Sequence, residues 1–450
     1  MRRFFRFAAV VLGIGVSLSA ELSLAAAEPP LSFVLILTDD QRWDTLWAMP
    51  EVQEKLVKNG VNFTQALVTD PLCCPDRASF LSGGFFAHNT GGLSNALPNG
   101  GATRFHDLDT LPVKLQEAGY KTGLFGKYLN DYEKLIPRIP PGWTRFVATG
   151  GRPGGKGKKK EMGKKKGGKK GQGPKPQKRP WYDFSTVVGS STAQPSQGEV
   201  VPRHQYSTDF YRDEALHFLD SVGDAPFLLY YSPHAPHSPA IPAPGDEKLF
   251  KDYVYRGRAW GEKDLSDKPP AVLAKGKKKG GPKSQEERDV FQRKQLQSLQ
   301  AVDRAVAALY DKVRVLGRLD RTVFVFTSDN GYLWGEHGLE AKGKPYEESI
   351  RVPLVVRAPG ITPREDESLV AVNLDFGPTV YEAARIRARS DGSSLLPLLR
   401  DPGFSWRKDI LIESFSNGKN RAGTWAGLRG TGWKYMEYAD GSTEFYDLSQ

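Results

Sequence analysis

"LSFVLILTDD", residues 31–40, is an apolar run rich in strand-forming residues that ends abruptly in Asp39 and Asp40. This pattern predicts a strand buried on both faces, with acidic side chains at its carboxyl end. A strand of this kind belongs to a mostly parallel sheet that is covered by helices on both sides. The run therefore favours an α/β fold.

The following segments alternate between helical and strand patterns, which is typical of such a sheet. Helices are predicted over 49–60, at the start of 111–128, and over 207–223 and 292–317. Further strands are predicted over 62–68, at the end of 111–128, and over 226–237 and 322–331. Ligands bind beyond the carboxyl ends of the strands in these sheets. We therefore expect the acids after 31–40, a histidine-bearing loop and Asp329/Asn330 at one edge.

Two terminal regions differ from this core. Residues 425–448 alternate around the turn "ADGS", which predicts an antiparallel hairpin in a small C-terminal β subdomain, 401–450. Residues 1–27 have a basic start, an apolar run too short to span a membrane, and small residues near Ala27. They predict a signal peptide, and hence a secreted or periplasmic protein without a membrane span.

The net charge of +11 is concentrated in two Lys/Gly-rich segments. Residues 151–180 contain 13 Lys/Arg and one Glu, and residues 275–283 contain five Lys. Both segments are almost free of apolar residues and are predicted to be disordered surface insertions. They would attract polyanions, but without interleaved aromatic residues they do not indicate specific nucleic-acid recognition.

Adjacent acids at the end of a buried strand suit a hard cation such as Ca²⁺ or Mg²⁺. Asp39 and Asp40 could instead form a solvated turn or a helix N-cap. "TSDNG" places Asp329 and Asn330 after a second buried strand, which strengthens the interpretation as a metal site.

Both cysteines of the chain are adjacent, in "LCCPDRASFLSGG", residues 72–84. Adjacent cysteines seldom form a disulfide, so no disulfide framework is expected. Either one of the two is chemically special, or both are buried apolar residues at the start of a helix.

The spacing Cys73-x-Pro75-x-Arg77 resembles the sulfatase family, in which the first cysteine is oxidised to Cα-formylglycine. Asp76 stands where the family usually has serine. The resemblance extends over about residues 31–400, through segments in the family's order: "LILTDDQ", "FGKYLNDY", "SPHAPHSP", "TSDNGYLWGEHGL" and "AKGKPYEESIRVPL". "GKYLN" and "APHSP" are most similar to N-acetylglucosamine-6-sulfatases and related arylsulfatases. The resemblance implies an alkaline-phosphatase-like catalytic domain over 28–400, and a C-terminal part that stops short of the family's usual end.

The resemblance also implies the residues of the site. The metal, Ca²⁺ rather than Mg²⁺, would be held by Asp39, Asp40, formylglycine from Cys73, Asp329 and Asn330. The catalytic residues would be Cys73, Arg77, Lys127, His237 and Lys342, and the substrate would be bound by Lys127, His237, Lys342 and His88. Lys342 is preferred over Lys344 by its spacing from "YEE". His234 either assists His237 or lines the loop, and His337 is expected outside the metal ligands.

The implied function is a secreted, Ca²⁺-dependent sulfatase that acts on a sulfated sugar, such as N-acetylglucosamine 6-sulfate, or on an aryl sulfate. Its maturation would require a formylglycine-generating enzyme. Two alternatives are a phosphonate or phosphate monoester hydrolase on the same scaffold and a non-catalytic polyanion-binding protein.

Overall fold

The computed structural model describes residues 30–150, 181–262, 264–273, 284–416 and 424–449. The predictions for the signal peptide and for the two Lys/Gly-rich segments lie outside these residues. The strands are β1 (Ser32–Thr38), β2 (Val61–Leu67), β3 (Lys121–Gly126), β4 (Arg138–Ile139), β5 (Arg145–Thr149), β6 (Phe184–Gly189), β7 (Ser196–Gln197), β8 (Glu199–Arg203), β9 (Phe227–Ser232), β10 (Thr322–Ser328), β11 (Leu333–Trp334), β12 (Glu340–Ala341), β13 (Leu354–Arg357), β14 (Arg364–Ala371), β15 (Asp409–Ser414), β16 (Trp425–Gly430), β17 (Trp433–Tyr438) and β18 (Thr443–Asp447). The α-helices are α1 (Pro50–Lys55), α2 (Cys73–Ser82), α3 (Ala87–Thr90), α4 (Leu111–Glu117), α5 (Ser207–Ser221), α6 (Pro270–Leu273), α7 (Gln285–Val315), α8 (Glu347–Ile350), α9 (Val372–Ala383) and α10 (Leu396–Arg400).

Ten strands form the central sheet, in the order β14-β2-β13-β10-β1-β9-β3-β5-β6-β8. The five strands from β10 to β5 in this order are all parallel to their neighbours. Antiparallel pairs occur only towards the two sides of the sheet, as with β13 and β6. The predicted mostly parallel sheet is therefore confirmed, and its carboxyl edge is shared by the five central strands.

Successive residues of β1 pack into different cores, as expected for a strand buried on both faces. Phe33, Leu35 and Leu37 join a cluster that includes side chains of α2, α4 and α9. Val34 and Ile36 join a second cluster with side chains of α5 and α7. Helices thus cover both faces of the sheet, as predicted from the unbroken apolar run.

Helix α7 begins at Gln285, well before the apolar periodicity that predicted a helix from residue 292. Its first turn is fixed by a capping box. The Ser284 hydroxyl accepts the Glu287 backbone N–H at 3.2 Å, and the Glu287 carboxylate accepts the Ser284 N–H at 2.8 Å. These bonds satisfy donors that are left free at a helix start. The charged sequence there therefore forms helix without an apolar stripe.

The C-terminal part is a four-stranded antiparallel sheet, β15-β16-β17-β18. It contains the predicted alternating segment and adds β15 on one side, which confirms the antiparallel subdomain. Glu347, at the start of α8, forms ion pairs with Arg429 of β16 at 3.1 Å and with Lys434 of β17 at 3.3 Å. Across the described ranges, no helix has the length and apolar character needed to cross a bilayer.

Candidate active site

Strands β1 and β10 carry four polar residues out of the carboxyl edge of the sheet. The strands are parallel and their last residues lie opposite each other, so Asp39 and Asp40 emerge beside Asp329 and Asn330. The Asp40 N–H donates to Asp329 Oδ1 at 3.2 Å, and Asn330 Nδ2 donates to Asp40 Oδ1 at 2.7 Å. All four side chains are buried. We call this group the oxygen cluster.

Cys73 is the first residue of α2, a helix whose ten residues are all buried. Its Sγ lies 3.4 Å from Asp39 Oδ1. Ligand atoms of Asp39, Asp40, Cys73 and His237 all lie within 4.8 Å of one another. The structure therefore brings the cysteine of the C-x-P-x-R motif to the oxygen cluster.

Lys127 reaches the cluster because β3 ends in a glycine. Gly126 has φ +124°, and a Cβ at this position would lie 1.9 Å from the Ser232 carbonyl oxygen of β9. Only glycine allows the two backbones to come this close. Their proximity lets the Lys127 N–H donate to the same Ser232 carbonyl oxygen at 2.8 Å. Lys127 Nζ then donates to Asp39 Oδ2 at 2.6 Å. In the "GK" pair, glycine is therefore required by the close approach of the backbones, and lysine supplies the positive charge.

Arg77 lies one turn after Cys73 in α2 and is fully buried. Its Nε donates to Asp329 Oδ2 at 2.7 Å, and its Nη1 donates to Ser232 Oγ and to the Lys127 carbonyl oxygen. Its Nη2 is buried and has no hydrogen-bond partner among the residues that the structure describes. Arg77 therefore ties α2 to β9 and β10 and keeps a donor for another group.

Lys342 supplies the third cation of the site. Its Nζ lies 2.6 Å from Cys73 Sγ and also contacts Asp40 Oδ1. Lys344 has no hydrogen bond or ion pair with the oxygen cluster among the described residues. The structure thus places Lys342, rather than Lys344, beside Cys73 and the oxygen cluster, and its catalytic role stays a prediction.

Burial and charge set the protonation of the site. Burial raises the pKa of Asp329, and the neighbouring Asp39 raises it further. Burial also opposes the ionisation of Asp39, but Lys127 and the other cations hold the pKa of this carboxyl well below its usual range. Burial, with Asp329 and Asp39, raises the pKa of the Cys73 thiol well above its ordinary value. The thiol is therefore neutral at pH 7, and unmodified Cys73 is a poor nucleophile.

The oxygen cluster has the donor chemistry of a site for a hard divalent cation. Asn330 Oδ1 is buried and has no hydrogen-bond partner in the described part of the chain, while its Nδ2 donates to Asp40. A buried amide oxygen without a donor is costly unless another group satisfies it. Carboxylate and amide oxygens are the ligands that Ca²⁺ and Mg²⁺ prefer. The residues present therefore fit a divalent cation.

Two histidines follow β9, and the structure gives them different environments. His237 is about 39% exposed; its Nδ1 lies 2.7 Å from the Ser238 carbonyl oxygen and its Nε2 lies 3.7 Å from Asp40 Oδ2. Because Nδ1 donates to a carbonyl, Nε2 is the nitrogen that faces the site. Burial lowers the pKa of His234 to about 3, so His234 is neutral. Of the two, His237 has the better environment for proton transfer.

Comparison with known proteins agrees with this geometry. Residues 32–386 match the family model described as Sulfatase. The chain belongs to the sulfatase family. Residues 335–450 also match the model described as N-sulphoglucosamine sulphohydrolase, C-terminal.

Individual sulfatases resemble most of this chain. N-acetylglucosamine-6-sulfatase of Homo sapiens is 30% identical over 88% of this chain and 69% of the relative. A Sulf-1 homolog of Caenorhabditis elegans is 32% identical over 84% of this chain, which spans about half (52%) of that relative's length. A solved structure of a protein in complex with its substrate D-glucosamine-2-N,6-O-disulfate has a TM-score of 0.71 at 23% identity, covering 94% of this chain and 92% of the other. This structural likeness confirms the predicted sulfatase fold.

Two histidines of this sulfatase lie apart from the oxygen cluster. His88 Nδ1 is 2.7 Å from Glu413 Oε2, and its ring stacks on Phe86 with centroids 5.4 Å apart. His337 Nδ1 is 2.8 Å from Glu262 Oε2. Among the described residues, neither forms a hydrogen bond or ion pair with the cluster. A substrate-binding role for His88 stays a prediction.

Sequence reasoning missed several residues that hold the candidate active site together. Asn95 Oδ1 accepts the Cys74 N–H at 2.8 Å and so fixes the start of α2. Gln295 of α7 donates to the Pro236 carbonyl oxygen at 3.3 Å, beside His237. Ser232 could have been noticed as the end of a buried strand. Asn95 and Gln295 have no recognisable local signal, because their role depends on contacts between distant segments.

Proposed function

We propose that this sulfatase hydrolyses sulfate monoesters with a nucleophile made from Cys73. The observation that carries the proposal is the position of Cys73 Sγ, between Asp39 Oδ1 at 3.4 Å and Lys342 Nζ at 2.6 Å. This position combines oxygen ligands for a cation with a fixed positive charge around one side chain. The neutral, buried thiol favours a modified rather than a free cysteine as the reactive group.

The three cations explain how an anionic substrate could react here. A sulfate monoester repels an anionic nucleophile, so its charge must be neutralised first. Arg77 and Lys127 are buried, the Lys342 side chain is 11% exposed, and all three are paired with acids. They provide fixed positive charge in a water-poor site, where electrostatic stabilisation is strong. In this proposal Lys342 binds sulfate oxygens, while Arg77 and Lys127 orient the side chain at position 73.

A Ca²⁺ ion would be held by the oxygen cluster together with the modified side chain of residue 73. When bound, it supplies positive charge that polarises the attacking oxygen and the sulfate. If oxidised to Cα-formylglycine, residue 73 would supply a hydrated aldehyde, with one hydroxyl for attack on sulfur. Deprotonation of the second hydroxyl would re-form the aldehyde C=O as the C–O bond to sulfate breaks and sulfate is expelled. Neither serine nor unmodified cysteine offers this elimination.

His237 would donate the proton that the departing alcohol needs. Its Nε2 faces the site while its Nδ1 is held by the Ser238 carbonyl oxygen. This arrangement fixes the ring without burying it, so the ring can exchange protons with solvent. Histidine commonly performs this task near neutral pH.

The substrate is proposed to be a sulfated sugar. Its support is the human relative named N-acetylglucosamine-6-sulfatase and the solved complex with D-glucosamine-2-N,6-O-disulfate. We also propose export with removal of residues 1–27, maturation by a formylglycine-generating enzyme, and a division near residue 400 between catalytic and C-terminal parts. Mass spectrometry of the mature N-terminus tests the export proposal.

The adjacent cysteines provide a matched test of the nucleophile. Peptide mass spectrometry over residues 72–77 should show the aldehyde at Cys73 and a thiol at Cys74. Cys73→Ala should abolish hydrolysis of an aryl sulfate, whereas Cys74→Ala should retain it. The proposal fails if Cys73 remains a thiol in fully active protein, or if an aryl phosphate is hydrolysed better than the aryl sulfate.

A further inference from the structure

A cavity of about 310 Å³ opens beside the candidate active site. Lys127 and His234 line it, and so connect it to the reaction centre. Asn95, which accepts the backbone N–H of Cys74, also lines it. The volume is at the lower end of the range of about 300–1,000 Å³ typical of ligand sites. It suits one sugar ring rather than an oligosaccharide.

Two residues that line this cavity each have a buried polar atom without a hydrogen-bond partner among the described residues. Asn130 Oδ1 and His234 Nδ1 are both buried without a hydrogen bond. Buried polar atoms of this kind are costly unless a ligand satisfies them. An amide oxygen accepts from a hydroxyl or an N–H group, and an imidazole nitrogen can pair with a hydroxyl. Both therefore suit the uncharged substituents of a sugar.

The charge of the cavity is the second observation. Among its lining residues that the structure describes, Lys127 alone is cationic, and it is already paired with Asp39 at 2.6 Å. Two acids line the cavity, Asp131 and Glu133. Asp131 forms an ion pair with Lys134, whereas Glu133 has no hydrogen bond or ion pair with another described residue. Away from Lys127, the described lining of the cavity is therefore neutral to acidic.

We propose that this cavity binds the sugar ring of the substrate and selects a singly sulfated ring with hydroxyl, acetamido or amino substituents over a ring with a second sulfate. This inference rests on the proposed sulfatase function. A second sulfate would lie near the carboxylates of Asp131 and Glu133, and the described lining residues offer it no unpaired cation. Like-charge placement of this kind discriminates against a competing ligand.

The test compares N-acetylglucosamine 6-sulfate with glucosamine-2-N,6-O-disulfate on the full-length, aldehyde-containing enzyme. We expect kcat/KM to be about tenfold lower for the disulfate. Glu133→Gln removes one exposed charge and should reduce the ratio of the two kcat/KM values, monosulfate to disulfate, about threefold. Glu117→Gln, which removes an exposed charge at the end of α4 and outside the cavity, should leave the ratio unchanged. An equal or better rate with the disulfate, or a ratio insensitive to Glu133→Gln, would overturn the proposal.

A binding measurement separates this proposal from the proposed function. Calorimetry of the two sugars with the Cys73→Ala variant reads the selectivity of the cavity without turnover, and we expect the monosulfate to bind more tightly. If an aryl sulfate is not hydrolysed by aldehyde-containing enzyme, the proposed function is wrong. If the aryl sulfate is hydrolysed but the disulfate binds equally well, only the selectivity is wrong.

Discussion

A Lys342→Met substitution removes the cation that contacts both Cys73 Sγ and Asp40 Oδ1. The Lys342 side chain is only 11% exposed, so water does not replace its charge effectively. At an effective dielectric constant of about 20, two unit charges about 4 Å apart interact by about 4 kcal/mol. Loss of this stabilisation from the transition state corresponds to about a 10³-fold lower kcat/KM for an aryl sulfate.

Lys344→Met is the matched control, because Lys344 is two residues away and has no described bond to the oxygen cluster. Its kcat/KM should stay within about threefold of the wild-type value. Circular dichroism of both variants establishes that they are folded, and mass spectrometry establishes that residue 73 is equally converted. Equal losses of activity in folded, converted Lys342→Met and Lys344→Met would refute the assignment of Lys342.

Three further predictions follow from the same contacts. His237→Ala should lower kcat/KM about 10²-fold or more for a sugar sulfate but far less for 4-nitrophenyl sulfate, because the 4-nitrophenolate leaving group needs no proton. An equal loss of kcat/KM with both substrates would contradict the general-acid role of His237. Chelation with EGTA should abolish activity and lower the melting temperature, and Ca²⁺ should restore both; full activity after chelation excludes a Ca²⁺ requirement. Burial opposes ionisation of Glu347, but Lys434 and Arg429 lower its pKa to about 2. The ion pairs of Glu347 therefore stabilise the fold at pH values above the unfolded-state pKa, and this stabilisation is lost as the pH falls towards 2. Glu347→Gln should therefore lower the free energy of unfolding, measured in urea, by up to about 3 kcal/mol at pH 7. The difference in this free energy between wild type and variant should shrink from pH 5 towards pH 3, and a difference that does not depend on pH would contradict the role of the Glu347 ion pairs.

The fold class and the grouping of Cys73 with the acids of the candidate site could be predicted because their signals are local. The unbroken apolar run of β1 requires cover on both faces, which is a property of a few consecutive residues. Acids that follow two such strands meet at one edge, since parallel strands end together. Cys73 and Arg77 lie one helical turn apart, so a short motif suffices to place both in one site.

The remaining features depend on contacts between segments far apart in the chain. The contact of Lys342 with Cys73 joins residues 269 positions apart, and the role of Gln295 depends on how α7 packs against the loop after β9. The neutral state of the thiol depends on burial that several elements create together. The cavity beside Lys127 could not be predicted from the sequence, because Asn95, Glu133 and His234 line a common space only when folding brings their segments together.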